Sequence, residues 1–291
     1  MRSILRDLAT TARPAHWLKN VFILAPIVFA QQLGDWESVL RVLVLYVLFC
    51  IIASGVYFIN DAADAHHDRR HPRKARRPVA AGRLPRKTAA AIGAVLAASA
   101  IGCSALLGPG VVATLGAYAG VNISYSLWLR RIWLVDSIAV ATGFVLRTVA
   151  GAVAIAVPFS TWLAVCTLLL ALLIAMGKRR AEFSQGMTTL VDTRPAAGLV
   201  SRKVTDTLIL LVAGVTVITY TVYILVPDTA DRFGSHGLLL TGPFVVYGVT
   251  RFASRVLGST DIEDPTTLFL HDRGLQLTVL AWVLVTLVTV Y

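Results

Sequence analysis

Apolar runs long enough to cross a bilayer divide this chain, and they constrain its fold more than any other feature. Nine can be counted, at about 20–33, 38–59, 88–107, 110–129, 132–156, 160–177, 205–226, 236–254 and 274–291. A helix needs roughly 20 apolar residues to span the hydrocarbon core. The composition agrees: 56% of residues are hydrophobic, 15% are charged, and mean hydropathy is +0.72. The expected fold is all-α, a polytopic membrane protein in a single integral-membrane domain over residues 1–291. Pro26 interrupts the first run, Gly108-Pro109-Gly110 marks a tight turn, and Pro158 breaks the chain between the fifth and sixth runs.

The net charge is +11. In a soluble chain that would suggest nucleic acid. Here the cations lie between apolar runs, so membrane orientation and an anionic substrate explain them, and no nucleic-acid partner is expected. With the N-terminus inside, 24 of the 27 Lys/Arg fall on the inner side, only Arg41 and Arg232 fall outside, and Arg147 lies within a run. The expectation is a cytoplasmic N-terminus, an outer C-terminus, and inner segments at about 60–87, 130–136, 178–203 and 251–273. Residues 1–19 lack the features of a cleaved signal. Cys50, Cys103 and Cys166 each sit in an apolar run with no disulfide or zinc spacing. Trp17, Trp36, Trp128 and Trp133 near run ends read as interfacial anchors.

The stretch 60–87 holds nine Lys/Arg and three acids. Asn60, Asp64 and Asp68 recur at i, i+4 and i+8, with Asp61 three residues before Asp64. On a helix that spacing places oxygen ligands on one face over about two turns. Hard oxygen donors without cysteine suit Mg²⁺, which keeps waters and bridges to phosphates. Arg76 and Arg77 follow and can bind the same phosphates. Asn60, Asp61, Asp64 and Asp68 are therefore expected to hold Mg²⁺, with the three aspartates catalytic, in a diphosphate site. A solvated basic loop would explain the arginines but not the aspartates in register. His66 and His67 point to different helix faces and do not suggest one shared metal.

Other polar positions also need a reason. Lys19 and Asn20 stand at the entry to the first run, as a phosphate ligand or as a snorkelling lysine with a cap. Arg147 lies at membrane depth, where a cation needs water, an acid or a phosphate. Its expected partners are the neighbourhood of Asp136, an acid of the 60s segment or a bound phosphate. Gly143 and Gly151 flank it at i−4 and i+4. Tyr125 and Arg130-Arg131 precede Asp136, and Tyr125 is a candidate substrate contact. Gly177-Lys178-Arg179-Arg180-Ala181-Glu182 closes the sixth run, fitting either the positive-inside rule or a second phosphate pocket. Residues 182–203 read as a mobile loop. Asp261, Glu263, Asp264, His271, Asp272 and Arg273 are unusual acids and cations before the last run.

Asn60-Asp61-x-x-Asp64-x-x-x-Asp68 at the end of a second membrane run resembles the UbiA superfamily of intramembrane prenyltransferases. The likeness covers nearly the whole chain. Arg13-Pro14…Trp17-x-Lys19-Asn20, Tyr57 before the aspartates and Pro72 after them, Arg77-Pro78-x-Ala80-x-Gly82, Gly177-Lys178-Arg179-x-x-Glu182 and Leu268-x-x-x-Asp272-Arg273 resemble its decaprenyl-phosphate phosphoribosyltransferase branch. Aromatic prenyltransferases of the superfamily carry a second Asp-rich motif where this chain has Lys178-Arg179-Arg180. The resemblance implies nine helices around a central cavity open to the cytoplasm and to lipid. It also implies Mg²⁺-dependent transfer from phosphoribosyl diphosphate to a polyprenyl phosphate in the plasma membrane, supplying lipid-linked pentose for cell-wall arabinan. Lys19, Asn60, Arg76, Arg77, Tyr125, Arg147, Lys178, Arg179 and Glu182 are then the candidate substrate contacts. A prenyl transfer to an aromatic acceptor and a non-catalytic lipid-phosphate carrier stay as alternatives, and homo-oligomerisation stays open.

Overall fold

The computed structural model describes residues 2–70, 74–127, 133–184, 202–227, 229, 233, 237–258 and 268–291. Pro72, Trp128, Arg130, Arg131, Arg232, Asp261, Glu263 and Asp264 lie outside the described residues, as does most of the expected 182–203 loop. Every regular element among the described residues is helical. Contacts divide the chain into two compact units, Met1–Phe159 and Ser160–Tyr291.

The first unit holds α1 (Arg2–Ala12), a 3-10 stretch (Pro14–Leu24), α2 (Ala25–Phe29), α3 (Trp36–Asp68), α4 (Arg86–Ser104), α5 (Pro109–Leu127) and α6 (Trp133–Ala154). Asp35 starts α3, its carboxylate accepting from the amides of Glu37 and Ser38 at 3.3 and 3.1 Å. At 33 residues, α3 is about 50 Å long, well beyond the ~30 Å hydrocarbon core. The expected run stopped at Ile59, but nothing in residues 60–68 breaks a helix, so α3 carries the acids on its own last turns rather than in a loop.

Helices α3 and α4 pack closely because glycines face each other. A Cβ on Gly55 would sit 2.8 Å from the Gly93 carbonyl oxygen, and one on Gly93 would sit 2.6 Å from that of Gly55. Ile23, Ile27, Leu45, Phe49, Ile52, Leu115, Tyr118 and Ala150 form the buried core below them. Gly108, at φ 118, makes the expected turn into α5.

The second unit holds α7 (Thr161–Ser184), α8 (Arg202–Leu225), a 3-10 turn (Gly237–Thr241), α9 (Gly242–Gly258), α10 (Leu268–His271) and α11 (Arg273–Val290). Leu173, Ile209, Phe252 and Leu275 are among its core residues. Tyr220 ties three elements together: its hydroxyl lies 2.8 Å from Thr241 Oγ1 and accepts from Trp282 Nε1 at 2.9 Å. Leu210, Leu211, Ile218 and Leu225 project outward from α8, as on a helix facing lipid.

Six helical segments among the described residues are long and apolar enough to cross a membrane: Trp36–Asp68, Arg86–Leu107, Val135–Ala154, Thr161–Ala181, Arg202–Leu225 and Arg273–Val290. The expected first span is not one helix. Pro14 opens a 3-10 stretch and Pro26 restarts the chain as the five-residue α2. The expected run 236–254 divides in the same way, between the 3-10 turn and the 17-residue α9.

Candidate active site

The last turns of α3 bury two carboxylates. Asp61 and Asp68 are 2% and 5% exposed, and Asp64 is half-buried on the turn between them. A buried carboxylate is costly unless it is paired. Arginines reach these two from both sides. Arg13 Nη2 donates to Asp61 Oδ1 at 2.5 Å, and Arg77 Nη1 donates to Asp68 Oδ2 at 2.7 Å. Arg77 Nη1 also lies 3.3 Å from Asp61 Oδ1.

Each arginine is delivered by a specific local fold. Arg13 has a left-handed backbone, φ 53 and ψ 62, where α1 gives way to the 3-10 stretch. Its guanidinium lies 4.8 Å from the Tyr57 ring centroid, and His16 Nδ1 is 3.1 Å from the Tyr57 hydroxyl. Arg77 sits where the chain turns back beneath α3. That turn closes through the Ala81 amide on the Arg77 carbonyl and the Leu84 amide on the Pro78 carbonyl, with Gly82 at φ 77. Val79 and Leu84 bury against Phe58, Ala62 and Ala65, and Ala80 between them is buried too. Arg69 Nε donates to the Ala80 carbonyl at 3.0 Å and fixes the turn to the end of α3.

The structure joins Asp61 and Asp68 through Arg77 and adds Arg13 on Asp61, while Asn60 and Asp64 stand on the same last turns of α3. Arg76 is exposed beside them, its carbonyl accepting from Arg83. Lys19 is half-buried on the 3-10 stretch and Tyr125 half-buried on α5. His66 and His67 are exposed at the end of α3, with ring planes 86° apart. Arg13 belongs to the Arg13-Pro14 motif but is not among the expected site residues. Forty-eight positions separate it from Asp61, and only the Arg13-Pro14 pair signalled it.

Arg147 differs from expectation. It is 5% exposed and pairs with no acid among the described residues. Nε donates to Asn20 Oδ1 at 2.7 Å, Nη1 to the Gly143 carbonyl at 2.7 Å, and Nη2 to the Tyr118 hydroxyl at 2.8 Å. Asp136 stands three turns away on the same helix, too far to meet it. Gly151 gives room to a packed helical element, the Ile23 carbonyl of the 3-10 stretch and Pro26 of α2 lying against it.

In the second unit, Arg180 of the α7 cluster is held structurally. It is 1% exposed; its Nε donates to Asp206 Oδ1 at 3.0 Å and its Nη2 to the Leu257 carbonyl at 2.8 Å. Arg179 is also buried, Lys178 is half-buried, and Glu182 follows on the same helix. Asp272 caps α11, accepting from the Leu275 amide at 3.0 Å. It also takes Arg251 Nε at 2.7 Å and Arg255 Nε at 2.8 Å. The Arg251 hydrogen bonds, with help from the cap and Arg255, pull its carboxyl down to about 2.

Among the described residues no three of His, Cys, Asp and Glu stand together as a ready metal cage. The acid face nevertheless suits a hard cation in its donor types. It offers carboxylate and amide oxygens and no sulfur, and Asn60 Oδ1 is buried with no hydrogen-bond partner among the described residues. Such an oxygen has a lone pair to give, and the arginines alongside can hold either carboxylates or phosphate oxygens.

Comparison with known proteins identifies the family. Residues 21–272 match the profile of the UbiA prenyltransferase family. The decaprenyl-phosphate phosphoribosyltransferase of Mycolicibacterium smegmatis is 30% identical, over 97% of this chain and 92% of its own. That of Corynebacterium glutamicum is 31% identical, over 96% of this chain and 85% of its own. A UbiA homolog from Archaeoglobus fulgidus, solved bound to GPP and Mg²⁺, superposes with a TM-score of 0.74 at 14% identity, covering 98% of this chain and 99% of the other. With that profile spanning most of its length, the chain belongs to the UbiA prenyltransferase family and is a multi-pass membrane transferase.

Proposed function

We propose that the protein transfers the 5-phosphoribosyl group of phosphoribosyl diphosphate to a polyprenyl phosphate, releasing pyrophosphate. One observation carries the chemistry: a buried acid face on α3, flanked by two arginines and containing an orphaned amide oxygen. The choice of phosphoribosyl over prenyl transfer rests on the near-full-length likeness to two enzymes named for that reaction. The Lys178-Arg179 pair, where the family resemblance implies a second acidic motif in aromatic prenyltransferases, also favours a donor with a further phosphate.

Asn60, Asp61, Asp64 and Asp68 would hold Mg²⁺. When bound, Mg²⁺ supplies neutralisation of the departing diphosphate. Arg13 and Arg77, now on the carboxylates, are placed to take diphosphate oxygens as well, with Lys19 and Arg76 nearby in sequence and Tyr125 as a further contact. On α7, Lys178 and Arg179, with Glu182 beside them in sequence, remain the second unit's own candidates for contact with an anionic substrate group. The bond from C1 to the diphosphate oxygen breaks, and pyrophosphate leaves with the electron pair. A phosphate oxygen of the lipid bonds to C1, which carries oxocarbenium character in between. The acceptor phosphate is already ionised, so no strong general base is required. Holding a water-soluble donor beside a lipid acceptor supplies the entropic part of the rate.

The site is assigned to the cytoplasmic side of the plasma membrane, and the product to lipid-linked pentose for cell-wall arabinan. The test supplies labelled phosphoribosyl diphosphate or labelled prenyl diphosphate, with Mg²⁺ and polyprenyl phosphate, to membranes containing the protein. Phosphoribosyl label in the lipid fraction supports the reading. Prenyl label on an aromatic acceptor, with no phosphoribosyl label in lipid, overturns it.

A further inference from the structure

Arg147 is a buried cation to which the proposed reaction assigns no step. Its three hydrogen bonds go to neutral oxygens, and its Cζ lies 4.7, 5.4 and 6.0 Å from the ring centroids of Tyr118, Phe144 and Phe49. A guanidinium so enclosed has been exchanged from water into a fixed set of dipoles and π faces. Of its three hydrogen bonds, only the one to Asn20 leaves its own neighbourhood of α5 and α6.

Asn20 is fully buried on the 3-10 stretch Pro14–Leu24. Eleven residues is long for this helix type, whose runs seldom exceed three or four residues without outside support. The support is visible. On the α3 side, Trp17 Nε1 donates to Ser54 Oγ at 3.1 Å, the Tyr46 hydroxyl to the Trp17 carbonyl at 3.2 Å, and Asn20 Nδ2 contacts Cys50 Sγ at 3.3 Å. On the α6 side stand the Arg147 bond and the packing of Gly151 against the Ile23 carbonyl. Arg147 supplies the one charge-assisted bond among these.

Seven residues before Asn20 comes Arg13, about 14 Å away at the 3-10 rise of ~2.0 Å per residue. Arg13 has the left-handed backbone that a side-chain-bearing residue adopts only when its surroundings hold it there. We infer that Arg147 is a positioning residue: through Asn20 it fixes the 3-10 stretch as a strut, and the strut sets the Arg13 guanidinium on Asp61. The functional consequence rests on the diphosphate reading of the α3 acids; the mechanical claim does not.

The experiment separates the two. Amide hydrogen exchange on the full-length protein in detergent is read by peptide mass for residues 13–24 and, as an internal control, for α4. In Arg147→Gln, exchange over 13–24 should rise about tenfold or more while α4 is unchanged, since a hydrogen bond to a charged group is lost. Asn20→Ala serves as the second variant should Arg147→Gln not fold, and it should produce the same pattern. Unchanged exchange over 13–24 in a folded variant overturns the strut. Binding of Mg²⁺ and pyrophosphate to the same samples is then measured. Arg147→Gln and Asn20→Ala should each weaken it about tenfold, and the double variant no more than the worse single one. Additive losses, or a loss in Arg147→Gln alone, make Arg147 a ligand and overturn the positioning role. If wild type binds no pyrophosphate at all, the diphosphate reading falls, and the exchange result alone decides the strut.

Discussion

Arg77 Nη1 stands between the two buried acids of α3, 2.7 Å from Asp68 Oδ2 and 3.3 Å from Asp61 Oδ1. One guanidinium nitrogen thus serves carboxylates two helical turns apart, which fixes the return of the chain beneath α3. Arg77→Lys keeps a charge but loses the planar fork. It should lower turnover about 10- to 100-fold while the protein still reaches the membrane in normal amount, since a charge-assisted bond is being misplaced rather than removed. Full activity in Arg77→Lys would show that only the charge is used.

Asp64, the acid of the three that is only half-buried, should matter for metal-dependent turnover more than for folding. Asp64→Asn keeps the size of a half-buried side chain and removes its charge. The expected result is a rise of about tenfold or more in the Mg²⁺ concentration needed for half-maximal rate, with unchanged expression and melting temperature. A wild-type Mg²⁺ dependence would take Asp64 out of the metal site.

The glycine crossing of α3 and α4 allows a prediction that does not involve substrate. A methyl on Gly93 meets the Gly55 carbonyl and the Ile59 backbone nitrogen, neither of which can step aside without parting the helices. Gly93→Ala should cost about 1–3 kcal/mol, the usual penalty for overpacking. Gly102, on the same helix, has nothing within 4 Å of its would-be Cβ. Gly102→Ala should be neutral or slightly stabilising. Thermal melting in one detergent compares the two; equal shifts would argue against a tight crossing.

Much of this site was legible because an i, i+3, i+7 series survives any uncertainty in where the helix ends. Asp61, Asp64 and Asp68 share a face whether the last turns of α3 are counted as helix or cap. The membrane class was equally legible, since apolar length does not depend on how the runs pack. The Arg13–Asp61 pair was not, because a left-handed residue followed by a 3-10 stretch carries no hydrophobic period to read. Arg147 is legible by its depth, but its protein partners Asn20, Gly143 and Tyr118 are not. Three neutral oxygens and aromatic faces can enclose a guanidinium, and no spacing rule anticipates them. In the basic cluster on α7, composition could not say that Arg180 is taken by Asp206 and the Leu257 carbonyl while Lys178 stays half-buried.

Asp272 gives a pH signature. Its carboxyl titrates at about 2 in the folded protein, held down first by its hydrogen bonds from Arg251. In an unfolded chain an aspartate titrates near ~3.9. A carboxyl depressed on folding contributes stability that is fully present above its unfolded value and is lost as pH falls toward its folded value. The contribution of Asp272 should therefore be complete at neutral pH and decline between about pH 4 and about pH 2. Asp272→Asn isolates the charge, because asparagine can still accept from the Leu275 amide and cap α11. Wild type should melt above the variant at pH 7, and the gap should narrow steadily below pH 4. Other carboxylates titrate alike in both proteins and cancel in the difference. A gap of constant size from pH 7 to pH 2.5 would mean that Asp272 acts through its shape at the cap and that its ion pairs with Arg251 and Arg255 add nothing.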